Sequence, residues 1–225
     1  DNIIAESGGT PAQTNIFYGK RHNGTPWLTM IIRGGGLGAG SRMDGHQCAI
    51  FPANGANTPV EIFESDTPLI VEERSLIADS GGPGKQRGGL GRKMVIRVPD
   101  DEFAPQPPTS IAVQAGRYRY APQGLFGAGA GAGAQFIIND KAGDPSGLTL
   151  CQSGDSIQFH SAGGGGYGNP LERDPEAVAA DAFSGYVSVE RAKEDYGVVV
   201  DPVSFKVDFE ETKKVRAERS KPKVE

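Results

Sequence analysis

Gly163-Gly164-Gly165-Gly166-Tyr167-Gly168-Asn169-Pro170-Leu171-Glu172-Arg173-Asp174-Pro175 separates two kinds of sequence. Downstream, apolar spacing and punctuation are helical. Asp174 is a good N-cap with Pro175 at the first helical position, Ala177, Val178 and Asp181 follow at helical spacing, and Gly185 marks a stop, which predicts a helix over 175–184. Ser188 caps a second helix, Val189 to Tyr196, ended by Gly197; after extended Val198 to Pro202, a third runs from about Glu210 to Arg219, and the charged tail frays.

Upstream, short β-branched and aromatic runs alternate with glycine clusters. Ile16 to Tyr18 and Trp27 to Ile32 read as strands joined by the turn-forming His22 to Pro26. Pro59 to Ala78, interrupted by Pro68, reads as two strands; Lys93 to Val98 and Asp155 to His160 alternate as half-buried strands. A proline-rich loop, Pro105 to Pro108, precedes a strand from Ile111 to Ala115, and Gly127 to Ala134 is silk-like but too short for a fibre, hence a packed glycine loop. The expected fold class is α+β, mainly β, with a glycine-rich β body over 1–168 and a helical appendage over 169–225.

Composition narrows the functional classes. The chain has 33 glycines in 225 residues, about twice the average frequency of about 7%, and their clustering between apolar runs implies tight turns and close backbone approach, not disorder. A net charge of −5 argues against nucleic acid as partner, and the acidic faces of the first two C-terminal helices argue against a DNA-binding helix-turn-helix. Two cysteines exclude a disulfide scaffold. With no membrane-length apolar run and no signal peptide, the expected location is the cytoplasm. The absence of an initiating methionine points to a segment of something longer.

Several motifs resemble known chemistry in part. Gly34-x-Gly36-x-x-Ala39 fits a dinucleotide fingerprint, but no helix follows to present N–H groups to a pyrophosphate. Gly84-Lys85 lacks the Ser or Thr and the upstream glycine of a P-loop. Asp79-Ser80-Gly81-Gly82 looks like a serine-protease nucleophile segment without its triad partners. Asp44, His46 and Cys48 would share one face of an extended strand, as metal ligands or as a hydrogen-bonded trio. His22 and His160 read as a loop and a strand residue.

Taken in order, Gly34 to Ala39 with Asp44-Gly45, Asn57-Thr58-Pro59-Val60-Glu61, Asp79 to Lys85, Arg87-Gly88-Gly89-Leu90-Gly91, Gly163 to Pro175 and Asp195-Tyr196-Gly197-Val198 resemble the C-terminal half of hydantoinase B/oxoprolinase subunits. Relatives of that kind include 5-oxoprolinase, N-methylhydantoinase, caprolactamase and acetone or acetophenone carboxylase subunits. The resemblance implies an ATP-dependent enzyme that opens cyclic amides through a phosphorylated intermediate made with a hydantoinase A-type ATPase subunit. Its alternatives are a ketone carboxylase or a non-catalytic assembly module. ATP and Mg would be bound by the partner, and a divalent metal would belong to the upstream half of the family's chain. The site candidates are Asp44 and His46 for catalysis, and Asp79 and Arg87 for substrate binding, where Arg87 would hold a phosphate or carboxylate in bidentate fashion.

Overall fold

The computed structural model describes residues 3–8, 13–50, 55–114 and 116–219. β1 (Gln13–Lys20) and β2 (Pro26–Arg33) form a full antiparallel hairpin, Gln13 opposite Arg33 and Lys20 opposite Pro26. Gly24, at φ 83, closes the turn. Next come α1 (Val60–Asp66), β3 (Ile70–Leu76), β4 (Arg92–Arg97) and β5 (Gln106–Gln114). β6 (Gln135–Ile138), β7 (Lys141–Ala142), β8 (Leu148–Cys151) and β9 (Ser156–His160) complete the strands, and α2 (Pro175–Phe183), α3 (Val189–Tyr196) and α4 (Phe209–Arg219) end the chain.

The strands form two antiparallel sheets, ordered β2-β1-β5-β8 and β3-β4-β9-β6-β7. They share one apolar core because strand alternation sends Phe17, Ile31 and Ile111 of one sheet toward Met94, Ile96, Ile157 and Phe159 of the other. Phe17 joins the layers, its ring centroid 6.0 Å from Phe159 and 5.6 Å from Phe63 of α1. The mainly-β α+β class expected from the sequence is what the chain adopts.

Two readings change. The segment after Pro59 forms α1, not a strand. Pro59 precedes the first helical residue, where a missing N–H costs nothing, and buried Phe63 ties the short helix to the core. The prolines at 107 and 108 lie inside β5, at its exposed end, where absent N–H groups break no ladder; Ala115 falls outside the described residues.

Beside the sheets lies a bundle of extended glycine segments. Successive residues of one segment bond to different neighbours. Gly163 N–H donates to the Ala132 carbonyl (3.0 Å), Gly164 to Gly89 (2.8 Å), Gly165 to Glu6 (2.8 Å) and Gly166 to Gly129 (3.1 Å). Their carbonyls accept in turn: Gly82 N–H reaches Gly164, Ala39 N–H reaches Gly165 and Leu125 N–H reaches Gly166. As at the axis of collagen, only glycine fits. A Cβ on Gly164 would stand 1.9 Å from the Leu37 carbonyl oxygen, and one on Gly36 would stand 1.9 Å from that of Gly89.

The C-terminal helices gather a second apolar cluster from Val178, Ala182, Ala192, Tyr196 and Val198. Asp174 and Ser188 cap α2 and α3 as read from the sequence, and Gly197 ends α3 at φ 62. Each cap contributes about 1 kcal/mol, but helices this short need their packing to persist.

Gly164→Ala is expected to cost more than about 3 kcal/mol in chemical denaturation, since rigid backbone cannot yield to the methyl group. Gly40→Ala, whose Cβ would meet only side-chain atoms at 3.5 Å and beyond and one carbonyl at 3.9 Å, is expected to stay within about 1 kcal/mol of wild type. Equal losses would show that the close approaches are not the constraint.

Candidate functional site

Where the glycine bundle meets the helices, four charged side chains converge. Asp44 accepts from the Arg87 backbone N–H (2.7 Å) and from both terminal nitrogens of Arg173 (2.7 Å each). Arg173 Nη2 also donates to Asp181 Oδ2 (2.8 Å), and Arg87 meets Asp181 with Nε (3.1 Å) and Nη2 (3.2 Å). Arg87, Arg173 and Asp181 are buried, with Tyr186 under the Arg87 guanidinium at 5.2 Å. Burial pushes the Asp44 carboxyl up, but the hydrogen bonds and charges of Arg173 and Arg87 outweigh it, leaving the group below its usual 3.8. Burial opposes the Arg173 charge too, yet Asp44 and Asp181 carry the guanidinium above its ordinary range.

The structure thus unites two candidates, Asp44 and Arg87, and the bidentate partner Arg87 finds is Asp181. His46 is exposed; its backbone carbonyl, not its ring, is engaged, accepting from Leu37 N–H at 2.8 Å. Asp79 sits apart at φ 59 and accepts from Ser188 N–H (2.7 Å), anchoring the start of α3. The anticipated one-face trio of Asp44, His46 and Cys48 does not form. Positive φ at Cys48 (54) breaks strand alternation, and Asp44 turns into the ion network.

Among the described residues no three His, Cys, Asp or Glu side chains come together as a metal site would require. The Gly34 to Ala39 segment enters the glycine bundle instead of a helix, and Lys85 pairs with Glu172 (3.4 Å). Neither glycine loop, as the described residues place it, has the helix N-terminus or the free lysine that would hold a phosphate. Ser80 Oγ donates to the Ile77 carbonyl (2.5 Å) and accepts from Gly91 N–H (2.9 Å), a buried structural hydroxyl.

Sequence reasoning missed Arg173 and Asp181 as partners, because Arg173 meets Asp44 from 129 positions away. It also passed over Arg117-Tyr118-Arg119-Tyr120, whose alternation of cation and aromatic was the available signal. This strip and Phe136, Asp140 and Asp144 line an open cleft of about 770 Å³. Arg117 holds its place at φ 70 through Glu6 (2.8 Å). A smaller pocket of about 290 Å³ opens beside Asp44, Lys85 and Arg173.

Residues 1–170 match the family model described as hydantoinase B/oxoprolinase. The chain belongs to the hydantoinase B/oxoprolinase family. Within the family it is 34% identical, over 89% of its length, to the B-type subunit of a putative D-/L-hydantoinase from Pseudomonas sp. (strain NS671). It is 30% identical over 88% of its length to the beta subunit of caprolactamase from Pseudomonas jessenii, and 30% identical over 73% to the alpha subunit of acetone carboxylase from Xanthobacter autotrophicus. It spans 34%, 36% and 26% of those relatives, about a third of their length. The crystal structure of ATP-dependent caprolactamase superposes with a TM-score of 0.78 at 28% identity, over 95% of this chain and 38% of that one. Nucleotide-free acetone carboxylase shares the fold, with a TM-score of 0.80 at 24% identity over 96% of this chain and 34% of that one.

In this hydantoinase B-family chain the ion network makes two measurable demands. Asp181→Ala strands the buried Arg87 guanidinium and leaves Arg173 with Asp44 as its remaining carboxylate, and it is expected to cost about 3–5 kcal/mol of stability. Because the folded-state pKa of Asp44 lies below its unfolded value, its carboxylate adds stability that is complete above about 3.8 and is lost as pH falls through the depressed value. Asp44→Asn is therefore expected to be less stable than wild type at neutral pH, with the gap closing on acidification. Denaturation midpoints that stay a constant distance apart down to about pH 2 would contradict this coupling.

Proposed function

We propose that this chain forms the C-terminal part of a subunit in an ATP-using enzyme that opens cyclic amides of the hydantoin, 5-oxoproline or lactam type. The observation that carries the reading is the match to the hydantoinase and caprolactamase subunits, which runs over nearly nine-tenths of the chain. The relatives are themselves named as subunits, which supports a hetero-oligomer, and the partner this proposal assigns is a hydantoinase A-type ATPase subunit. In this scheme the partner binds ATP and Mg and phosphorylates the amide carbonyl oxygen. Water would then add to the activated carbon and the C–N bond would break, the nitrogen leaving as a protonated amine, and a second water would hydrolyse the resulting acyl phosphate to carboxylate and phosphate.

This chain's own contribution is architectural at the glycine bundle and positional at its rim. Asp44 and Arg87 are locked in place at the junction between the β body (1–168) and the helical unit (169–225). The pocket beside Asp44 and the cleft beside Tyr118 are the openings on which substrate contacts would be built, with His46 and Asp79 as the remaining candidates to be tested by substitution. A cytoplasmic location suits the ATP supply this chemistry needs, and no helix among the described residues is long and apolar enough to cross a membrane.

A second reading, ATP-dependent ketone carboxylation, is favoured by the acetone carboxylase alpha match. ATP consumption by the native complex separates the two. Dependence on hydantoin, 5-oxoproline or a lactam is expected, whereas consumption driven only by acetone with bicarbonate would replace the first reading by the second. Turnover that survives removal of this chain would reduce it to an assembly module. The 225-residue chain alone is expected to show no heat of ATP binding in calorimetry, since neither glycine loop presents a phosphate cradle; a saturable binding isotherm would overturn that.

A further inference from the structure

At one end of the sandwich the chain buries cations with no acid beside them among the described residues. Arg33, the last residue of β2, is fully buried, its guanidinium 4.4 Å from the centroid of Phe159. Asn15 satisfies part of it: in the amide orientation that suits both partners, its Oδ1 accepts from Arg33 Nε (2.8 Å) and Nη2 (3.0 Å). Arg33 Nη1 has no partner among the described residues. Arg92, at the start of β4 and 4% exposed, gives one nitrogen to Asn57 Oδ1 (2.7 Å) and leaves Nε unpaired.

Other unpaired polar atoms surround these two. Gln13, directly across the ladder from Arg33 and 0% exposed, pairs neither its amide oxygen nor its amide nitrogen. Ser161 Oγ and His160 Nε2 are buried and unpaired as well, and the Tyr118 hydroxyl lies beside Arg33 without a well-formed hydrogen bond. Burial pulls both guanidiniums down, to about 10; Arg92 adds to the effect on Arg33, and Arg74 to that on Arg92. Among the described residues only the Tyr118 phenol and the Cys48 thiol oppose it, and no carboxylate acts on either arginine. His160 feels Glu73, but that carboxylate is tied to Lys93 at 2.8 Å. The one buried acid among the described residues, Asp181, is committed to Arg87 and Arg173.

Two buried cations with unused donors are far from balance, and water alone supplies hydrogen bonds without neutralising charge. We propose that Arg33 and Arg92, with Gln13, Ser161 and Tyr118 as neutral donors, form an internal binding site for one small carboxylate-class anion. A carboxylate fits this donor set better than phosphate, which favours helix N-termini and runs of free backbone N–H groups. Here four of the neighbouring N–H groups are spent: Gly35 on Ala49, Gly36 on Ala162, Gly91 on Ser80 and Gly163 on Ala132. The unpaired atoms are shielded from solvent, so a small free anion suits the site better than the side chain of another protein. Tyr118 supplies the route, since it lines the open cleft while its hydroxyl lies against the cluster.

Thermal melts of the 225-residue chain at matched ionic strength test the assignment with acetate or bicarbonate against chloride. Wild-type Tm is expected to rise with the logarithm of acetate or bicarbonate concentration above Kd, and Arg33→Met to bind at least about tenfold more weakly. Without the anion, Arg33→Met should match or exceed wild-type stability, because it removes an unpaired buried charge. Should that variant fail to fold, ¹³C-acetate line broadening by the wild-type chain, displaced by bicarbonate, decides the matter. A wild-type Tm indifferent to acetate and bicarbonate, an unbroadened acetate line, or an undiminished acetate response in Arg33→Met would each overturn the site.

Discussion

Backbone packed against backbone, with no room for a Cβ, is the constraint on which the rest of this structure depends. Gly163 to Gly166 run through the middle of the bundle, and their four N–H groups go to three other segments, at Ala132 and Gly129 of one, Gly89 of a second and Glu6 of a third. A sheet satisfies its backbone in a plane; these segments satisfy theirs around an axis. Each net hydrogen bond is worth about 1 kcal/mol, and each buried group left unpaired would cost more, so the bundle is stable only when all its segments are present together. That cooperation explains why glycines so distant in sequence serve a single element.

The glycines of the bundle have no side chains with which to hold the helical unit, and the charged residues at its rim take that role. Asp181 of α2 and Arg173 just before it reach Arg87 and Asp44, while Arg216 of α4 donates to the Arg173 carbonyl at 2.7 Å. Buried ion pairs contribute little net stability compared with apolar packing, but an unpaired member is costly, so the network specifies one docking geometry. The same rule gives Arg33 and Arg92 their interest. At the other set of buried guanidiniums the charges are unbalanced within the described residues.

How much of this was legible in the sequence follows from how local each signal is. Asp174, Ser188 and Gly197 announce α2 and α3 because capping is settled within a few residues, and the β1–β2 hairpin follows from its turn and its apolar runs. α1 was not legible: it has seven residues, no side-chain cap and a single buried anchor, Phe63, whose importance comes from Phe17 across the core. The glycine clusters could be read as architecture, but their mutual arrangement could not, because glycine carries no pattern to indicate its neighbours. Asp44 and Arg87 were legible as polar residues beside glycine loops. Their partners were not, because the pairing is tertiary and joins positions 129 and 94 residues apart.

The ion network and the placement of the unbalanced arginines both depend on the glycine bundle being the rigid centre of the chain and not a set of loops. Native-state hydrogen exchange resolved at single amides tests this most directly. The N–H groups of Gly89, Gly164 and Gly165 are expected to exchange only through global unfolding, as slowly as those of Ile96 and Ile157 in the sheet core. Exchange at those glycines as fast as at Gly24 in the β1–β2 turn, with the sheet amides still protected, would contradict the account.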